Sequence, residues 1–145
     1  MALLVAFGSA VLLVAGCSDD TFDHQYPKAD VNVSLEKALS DHRVDLPAGA
    51  QDVRYSANSE LEGYPLFLEF EAPCSEMGAF SEKNGLERLP MEKMWGTNAA
   101  VEAQESGWRH RKGDYGFRRD SGTSVTRIHA LVSPRGSDCH VWVDN

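Results

Sequence analysis

Apolar and polar side chains alternate most clearly over residues 64–72, where Leu66, Leu68, Phe70 and Ala72 share one parity and Phe67, Glu69 and Glu71 the other. A period of two predicts a strand with unlike faces. Residues 53–57 alternate in the same way. After Pro73 the apolar spacing widens to Cys74, Met77 and Phe80, a helical stripe that Asn84-Gly85 would end. Upstream, Ser34 followed by Leu35, Ala38 and Leu39 predicts a short helix with a serine N-cap, stopped before Leu46-Pro47. Asn98 would cap a helix over 99–104 within a stretch, 86–108, of otherwise weak pattern. Residues 115–118 suggest a strand leading through the turn sequence Asp120-Ser121-Gly122 into a second strand over 124–132.

The C-terminal residues predict a hairpin. If Pro134-Arg135-Gly136-Ser137 is a four-residue loop, Ser133 faces Asp138, and Val132, Ala130 and Ile128 pair with Cys139, Val141 and Val143 on a wholly apolar face. The opposite face then pairs Leu131 with His140, His129 with Trp142 and Arg127 with Asp144, a polar and aromatic set suited to water. A slip of one residue would mix the faces, so the pattern selects against it. The expected architecture is α+β, an antiparallel sheet with helices packed on one face and one disulfide.

The start of the chain reads differently. Residues 1–16 contain no charged side chain, and Leu3, Leu4, Val5, Ala6, Phe7, Val11, Leu12 and Leu13 make an apolar run shorter than the roughly 20 residues of a membrane-spanning helix. The run ends in Leu13-Val14-Ala15-Gly16-Cys17, which resembles the bacterial lipobox. That resemblance implies that Cys17 is diacylated on sulfur and becomes the first residue of the mature protein, small residues before it admitting the peptidase. The run has no Lys or Arg in an n-region, consistent with a true start upstream. Residues 17–33 then carry Asp19, Asp20, Asp23 and Asp30 against Lys28, with few large apolar groups, and are expected to be a flexible acidic tether. Residues 34–145 form a single globular domain without internal repeats.

With the lipobox, the stretch Leu46-Pro47-Ala48-Gly49-Ala50-Gln51-Asp52-Val53-Arg54-Tyr55, the Leu66 to Phe70 strand and the closing Cys139-His140-Val141-Trp142-Val143, the chain resembles small uncharacterised lipoproteins of actinobacteria. The resemblance implies an anchor on the outer face of the cytoplasmic membrane through lipidated Cys17. It brings no catalytic residues and no cofactor.

Composition narrows the picture further. Hydrophobic residues at 42% and charged residues at 25% of 145 fit one ordinary globular domain. A net charge of -8 argues against nucleic acid as a main partner, which would need clustered Lys and Arg. Setting Cys17 aside as the lipid site leaves Cys74 and Cys139, an even pair in an exported protein and the expected disulfide, the other reading being two buried thiols.

Candidate chemistry is sparse. Ser34-Leu35-Glu36-Lys37 has the S-x-x-K spelling of penicillin-interacting enzymes, but no K-T-G strand follows, and a capped helix explains it. No G-x-S-x-G, H-E-x-x-H, P-loop or C-x-x-C motif occurs. Glu69, Glu71, His129 and His140 could share the outer sheet face if strand 64–72 neighbours the hairpin, offering carboxylate and imidazole for a metal or for acid-base work. Arg109, Arg111, Lys112, Arg118 and Arg119 with His110 form a basic cluster that could meet anionic headgroups or a cell-wall polyanion. The leading functional expectation is a non-enzymatic binding module of the cell envelope, using Phe67, Glu69, His129, His140 and Trp142 toward an envelope protein or cell-wall ligand. The alternative is a small envelope hydrolase or metal-binding protein built on Glu69, His129 and His140.

Overall fold

The structure is a computed structural model that describes residues 31–120 and 122–145. The leader 1–16, Cys17 and the tether up to residue 30 lie outside the described residues. In chain order the elements are α1 (Leu35–His42), β1 (Gln51–Ala57), β2 (Leu66–Pro73), α2 (Met77–Lys83), β3 (Glu87–Pro90), α3 (Asn98–Glu105), β4 (Tyr115–Arg119), β5 (Ile128–Arg135) and β6 (Asp138–Asp144). The strands form one six-stranded sheet in the order β1-β2-β6-β5-β4-β3, every neighbouring pair antiparallel. No described helix is long and apolar enough to cross a membrane.

The domain begins earlier than residue 34. Val33 is buried and its carbonyl accepts from the Tyr55 hydroxyl at 3.1 Å, while the Asn32 side chain accepts from the Ser59 N–H at 3.0 Å. The last residues expected in the tether therefore pack on the fold.

The face predicted to be apolar is the main core. Leu66, Leu68, Phe70 and Ala72 of β2 pack with Cys139, Val141 and Val143 of β6 and with Ile128, Ala130 and Val132 of β5. Over them lie α1, through Ala38, and α2, through Met77 and Phe80. α1 starts as expected, the Ser34 side chain accepting from the Lys37 N–H at 3.3 Å, but ends at His42, before the proline can act. There Arg43 takes a left-handed conformation (φ 54°), with Val44 N–H bonding Leu39 O and Arg43 N–H bonding Ser40 O. A short 3₁₀ turn, Cys74–Glu76, leads into α2.

Cys74 and Cys139 are joined by a disulfide, Cα atoms 4.9 Å apart, which ties the start of the α2 segment to β6 across 65 residues of sequence. Closing a loop of that length stabilises the fold by about 4 kcal/mol in the chain-entropy treatment.

The hairpin forms with a tighter turn than expected. Arg135 pairs with Asp138, leaving only Gly136 and Ser137 between the strands, with φ 73° at Gly136 as a type II′ turn requires at its first position. The register is thereby displaced by two: Val132 opposes Val141, Ala130 opposes Val143, Leu131 opposes Trp142 and His129 opposes Asp144. A displacement of two preserves which face each residue lies on. Pro134 is accommodated within β5 because β4 pairs only from Val132 to Ile128, so no strand on that side needs its missing N–H. The 124–132 strand begins only at Ile128, Ser124–Thr126 forming a 3₁₀ turn.

The second sheet face is covered as well. α3 lies across it, and Ala99, Ala103, Trp108, Met91, Met94 and Leu89 pack on Leu131 and Trp142 in a second core. Its N-cap is Thr97, one residue before the expected Asn98, with the threonine side chain accepting from Ala100 N–H. α3 thus adds a layer opposite α1 and α2, and the set read as suited to water is largely enclosed.

Candidate functional site

The structure divides the five residues expected to form a binding face. Strand β2 does neighbour β6, placing Glu69 opposite Trp142 and Glu71 opposite His140. His140 Nε2 donates to Glu69 at 2.6 Å, its Nδ1 lies 3.2 Å from Glu71, and its ring stacks on Trp142 at 4.1 Å with planes 15° apart. Trp142 itself is only 1% exposed, beneath α3 and beside Trp108, so it offers no surface to a partner. Phe67 is half-buried against the same second core.

His129 stands elsewhere. It lies opposite Asp144, whereas His140 lies opposite Ser133, four positions further along β5 and so about 13 Å away at strand rise. The expected trio of Glu69, His129 and His140 is therefore not assembled. Among the described residues no group of three or more His, Cys, Asp and Glu side chains is placed to hold a metal ion. Ser133, beside His140, is completely buried, and both imidazole nitrogens face carboxylates, so the Ser, His and Glu of this corner are not arranged as a nucleophile with its base.

Around His129 is a buried acidic group. Burial pushes the Asp144 carboxyl up to about 7, against the opposing pull of hydrogen bonds from the Ala99 backbone and the Asn98 side chain. Glu102 of α3 is also raised, by burial and then by Glu105, and burial lowers His129. Asp144 meets the first turn of α3 through the Ala99 backbone and the Asn98 side chain.

The basic cluster is split too. Arg119 donates to four backbone carbonyls, those of Thr126 (2.7 Å), Arg43 (2.9 Å), Asn84 (2.9 Å) and His42 (2.7 Å). It pins the ends of α1 and α2 to β4. Arg118 pairs with Asp120 at 3.0 Å and Glu87 at 3.5 Å. The S-x-x-K pair is a helix cap, with Lys37 Nζ bound to Asp41 at 2.8 Å. A hollow of about 930 Å³ lies over the Arg119 junction, where Lys83 is paired with Asp45.

A second hollow, of about 460 Å³, has a different character. It is lined by Trp95, Trp108, His110, Gln104, Arg109 and, at its edge, Val101 with Glu105. Trp95 is 48% exposed and Val101 43%, two of the four exposed large hydrophobic side chains among the described residues. The Trp95 ring sits 5.9 Å from Trp108 and 5.7 Å from His110.

Local sequence explains this geometry. α3 ends with Gly107 at φ 90°, its N–H bonding Gln104 O and the Trp108 N–H bonding Ala103 O, a Schellman close that turns Trp108 back over the helix. Asp114, buried, then accepts from Trp108 Nε1 at 3.1 Å and from the Arg111 N–H at 2.7 Å. The carboxylate fixes the 107–113 loop and leaves Arg109, His110, Arg111 and Lys112 exposed on it. In the sequence, Gly107 just after the Ser106 cap of α3 and before a tryptophan is the signal available for this turn. No protein-family model matches the chain, and neither a curated protein nor a solved structure resembles it.

Proposed function

We propose that the chain is a lipid-anchored, extracytoplasmic binding module of the cell envelope, non-enzymatic, whose contact surface is the Trp95 hollow rather than the sheet face around Trp142. The lipobox before Cys17 supports the anchor, and the Cys74–Cys139 bridge is in keeping with an oxidising compartment. One observation carries the binding reading: a tryptophan left half exposed beside an exposed valine, at the rim of a hollow whose floor is a second, buried tryptophan. A large aromatic surface left in water costs stability, and in a domain that buries its apolar residues on both sheet faces such a patch is the feature of a contact site.

Photocrosslinking on intact cells tests this. With a photoreactive phenylalanine analogue at position 95, a reproducible adduct is expected; the same group at the exposed Glu60 should give none. Equal labelling from both positions would remove the Trp95 surface from consideration. Cys17→Ser should release the protein from the membrane fraction, and retention there would overturn the lipid anchor.

A further inference from the structure

We infer that the Trp95 hollow takes a carbohydrate, specifically a pyranose ring of a cell-wall glycan strand; this rests on the extracytoplasmic binding reading above. The walls of the hollow are of two kinds. The half-exposed Trp95 indole is inclined at 44° to the buried Trp108 ring that floors the hollow and at 74° to the His110 imidazole. Around them stand Gln104, Glu105, Arg109 and His110, donors and acceptors carried on one helix turn and the loop after it.

A pyranose has the matching chemistry. Its axial C–H groups make one face apolar and faintly positive, which suits the negative face of an indole, while its rim of hydroxyls needs donors and acceptors around the edge. A purely apolar peptide side chain would leave the polar rim unanswered, and a small anion would leave the indole exposed to water. The size agrees: about 460 Å³ lies within the usual range for small-molecule sites and accommodates one or two sugar rings.

The hollow is also held in shape before any ligand arrives. Trp108 is fixed from below by Asp114 and from its backbone by Ala103, and Gly96 at φ 87° with Thr97 as N-cap sets the turn from which Trp95 projects. Binding there would need little reordering. The charge pattern favours a glycan over a lipid surface. Glu105 stands on the rim with Arg109, and Arg109 Nη1 is already committed to the carbonyls of Trp108 (2.8 Å) and Gln104 (3.3 Å), so the hollow itself is not a cationic patch. Arg111 and Lys112 lie on the adjoining loop, outside it.

The test is co-sedimentation of the full chain with purified peptidoglycan sacculi, with competition by the soluble disaccharide and tetrasaccharide fragments of the same material. Wild-type protein should sediment and be displaced by the fragments. Trp95→Ala should weaken sedimentation about tenfold, Gln104→Ala less, and Trp95→Phe should retain most of it. Thermal unfolding of each variant, matched to wild type, separates loss of contact from loss of fold. No sedimentation, or sedimentation unchanged in Trp95→Ala, overturns the glycan assignment. A parallel arm uses vesicles of phosphatidylglycerol and phosphatidylcholine: Trp95-dependent vesicle binding without sacculus binding would replace the glycan by a lipid surface and leave the binding-module reading standing. If Trp95→Ala changes neither of these and the analogue at position 95 gives no adduct beyond that from Glu60, both readings fail together.

Discussion

The carboxyl of Asp144, near the end of β6, accepts a hydrogen bond from the backbone N–H of Ala99 in the first turn of α3, so the sheet supplies an anchoring contact to the helix that covers it. A carboxylate is favoured at a helix N-terminus, yet the burial that makes this contact raises Asp144 to about 7.

The sign of the resulting pH dependence follows. A raised acid favours its protonated form in the fold, so its stabilisation is full below its ordinary value near 4 and is lost as pH rises through about 7. Urea denaturation should show stability falling by up to about 1.4 kcal/mol per pH unit across that window. Asp144→Asn should remove the part of this fall that runs up to about 7, leaving the part due to Glu102, which burial also raises. Burial lowers His42 and His129, which act oppositely, their contribution fading as pH drops below 6.5. In the asparagine variant that limb is opposed only by Glu102, so stability should fall less steeply toward pH 6.5 than in wild type. An unaltered wild-type profile would rule out Asp144 as the source.

Arg119 offers a test of geometry over charge. Its four carbonyl bonds converge from α1, the α2 end and the turn before β5. Lysine keeps the charge but has one compact head group. Arg119→Lys should cost about 2 kcal/mol, close to what Arg119→Ala costs. A lysine variant as stable as wild type would show that charge alone suffices.

Gly116 of β4 lies directly under Met94. A Cβ there would sit 2.0 Å from the methionine sulfur, and Met94 is completely buried and cannot swing into solvent. Gly116→Ala should cost about 1–3 kcal/mol. With Met94→Ala already present, the added cost should shrink sharply in a double-mutant cycle; simple additivity would deny the contact.

Arg43 closes α1 at φ 54°, where glycine is the residue without strain. Its backbone carbonyl serves Arg119, and its guanidinium opposes that of Arg119. Arg43→Gly keeps the first and removes the second, so it should raise stability by about 0.5–1 kcal/mol, read as a shift in urea midpoint. A lower midpoint would mean the arginine side chain contributes more than its strain costs.

Much of this fold was legible because large aliphatic and aromatic residues mark one sheet face without ambiguity. The parity of Leu66, Leu68, Phe70, Val141 and Val143 placed them together, and an error of two in hairpin register left them together. The tighter turn is not legible in the sequence, where Pro134 reads as loop; the absence of a β4 neighbour lets it stay in strand. The second layer was hidden for another reason. α3 packs through Ala99 and Ala103, which carry too little apolar signal to announce a buried helix, so Trp142 was left looking wet. β3, four residues with only Leu89 buried, has too short a period to detect. The Trp95 hollow depends on how two turns bring distant rings together, which no local pattern encodes.

The two margins of the sheet bear on how this domain can be approached. β1, at one margin, is broken by a bulge between Gln51 and Arg54, with Asp52 at φ 50°; β3, at the other, is four residues long and ends in Pro90. Neither presents the straight row of free amides and carbonyls that an extended chain needs in order to add as a further strand. Among the described residues the sheet margins are therefore poor templates for another chain, which favours contact through side chains.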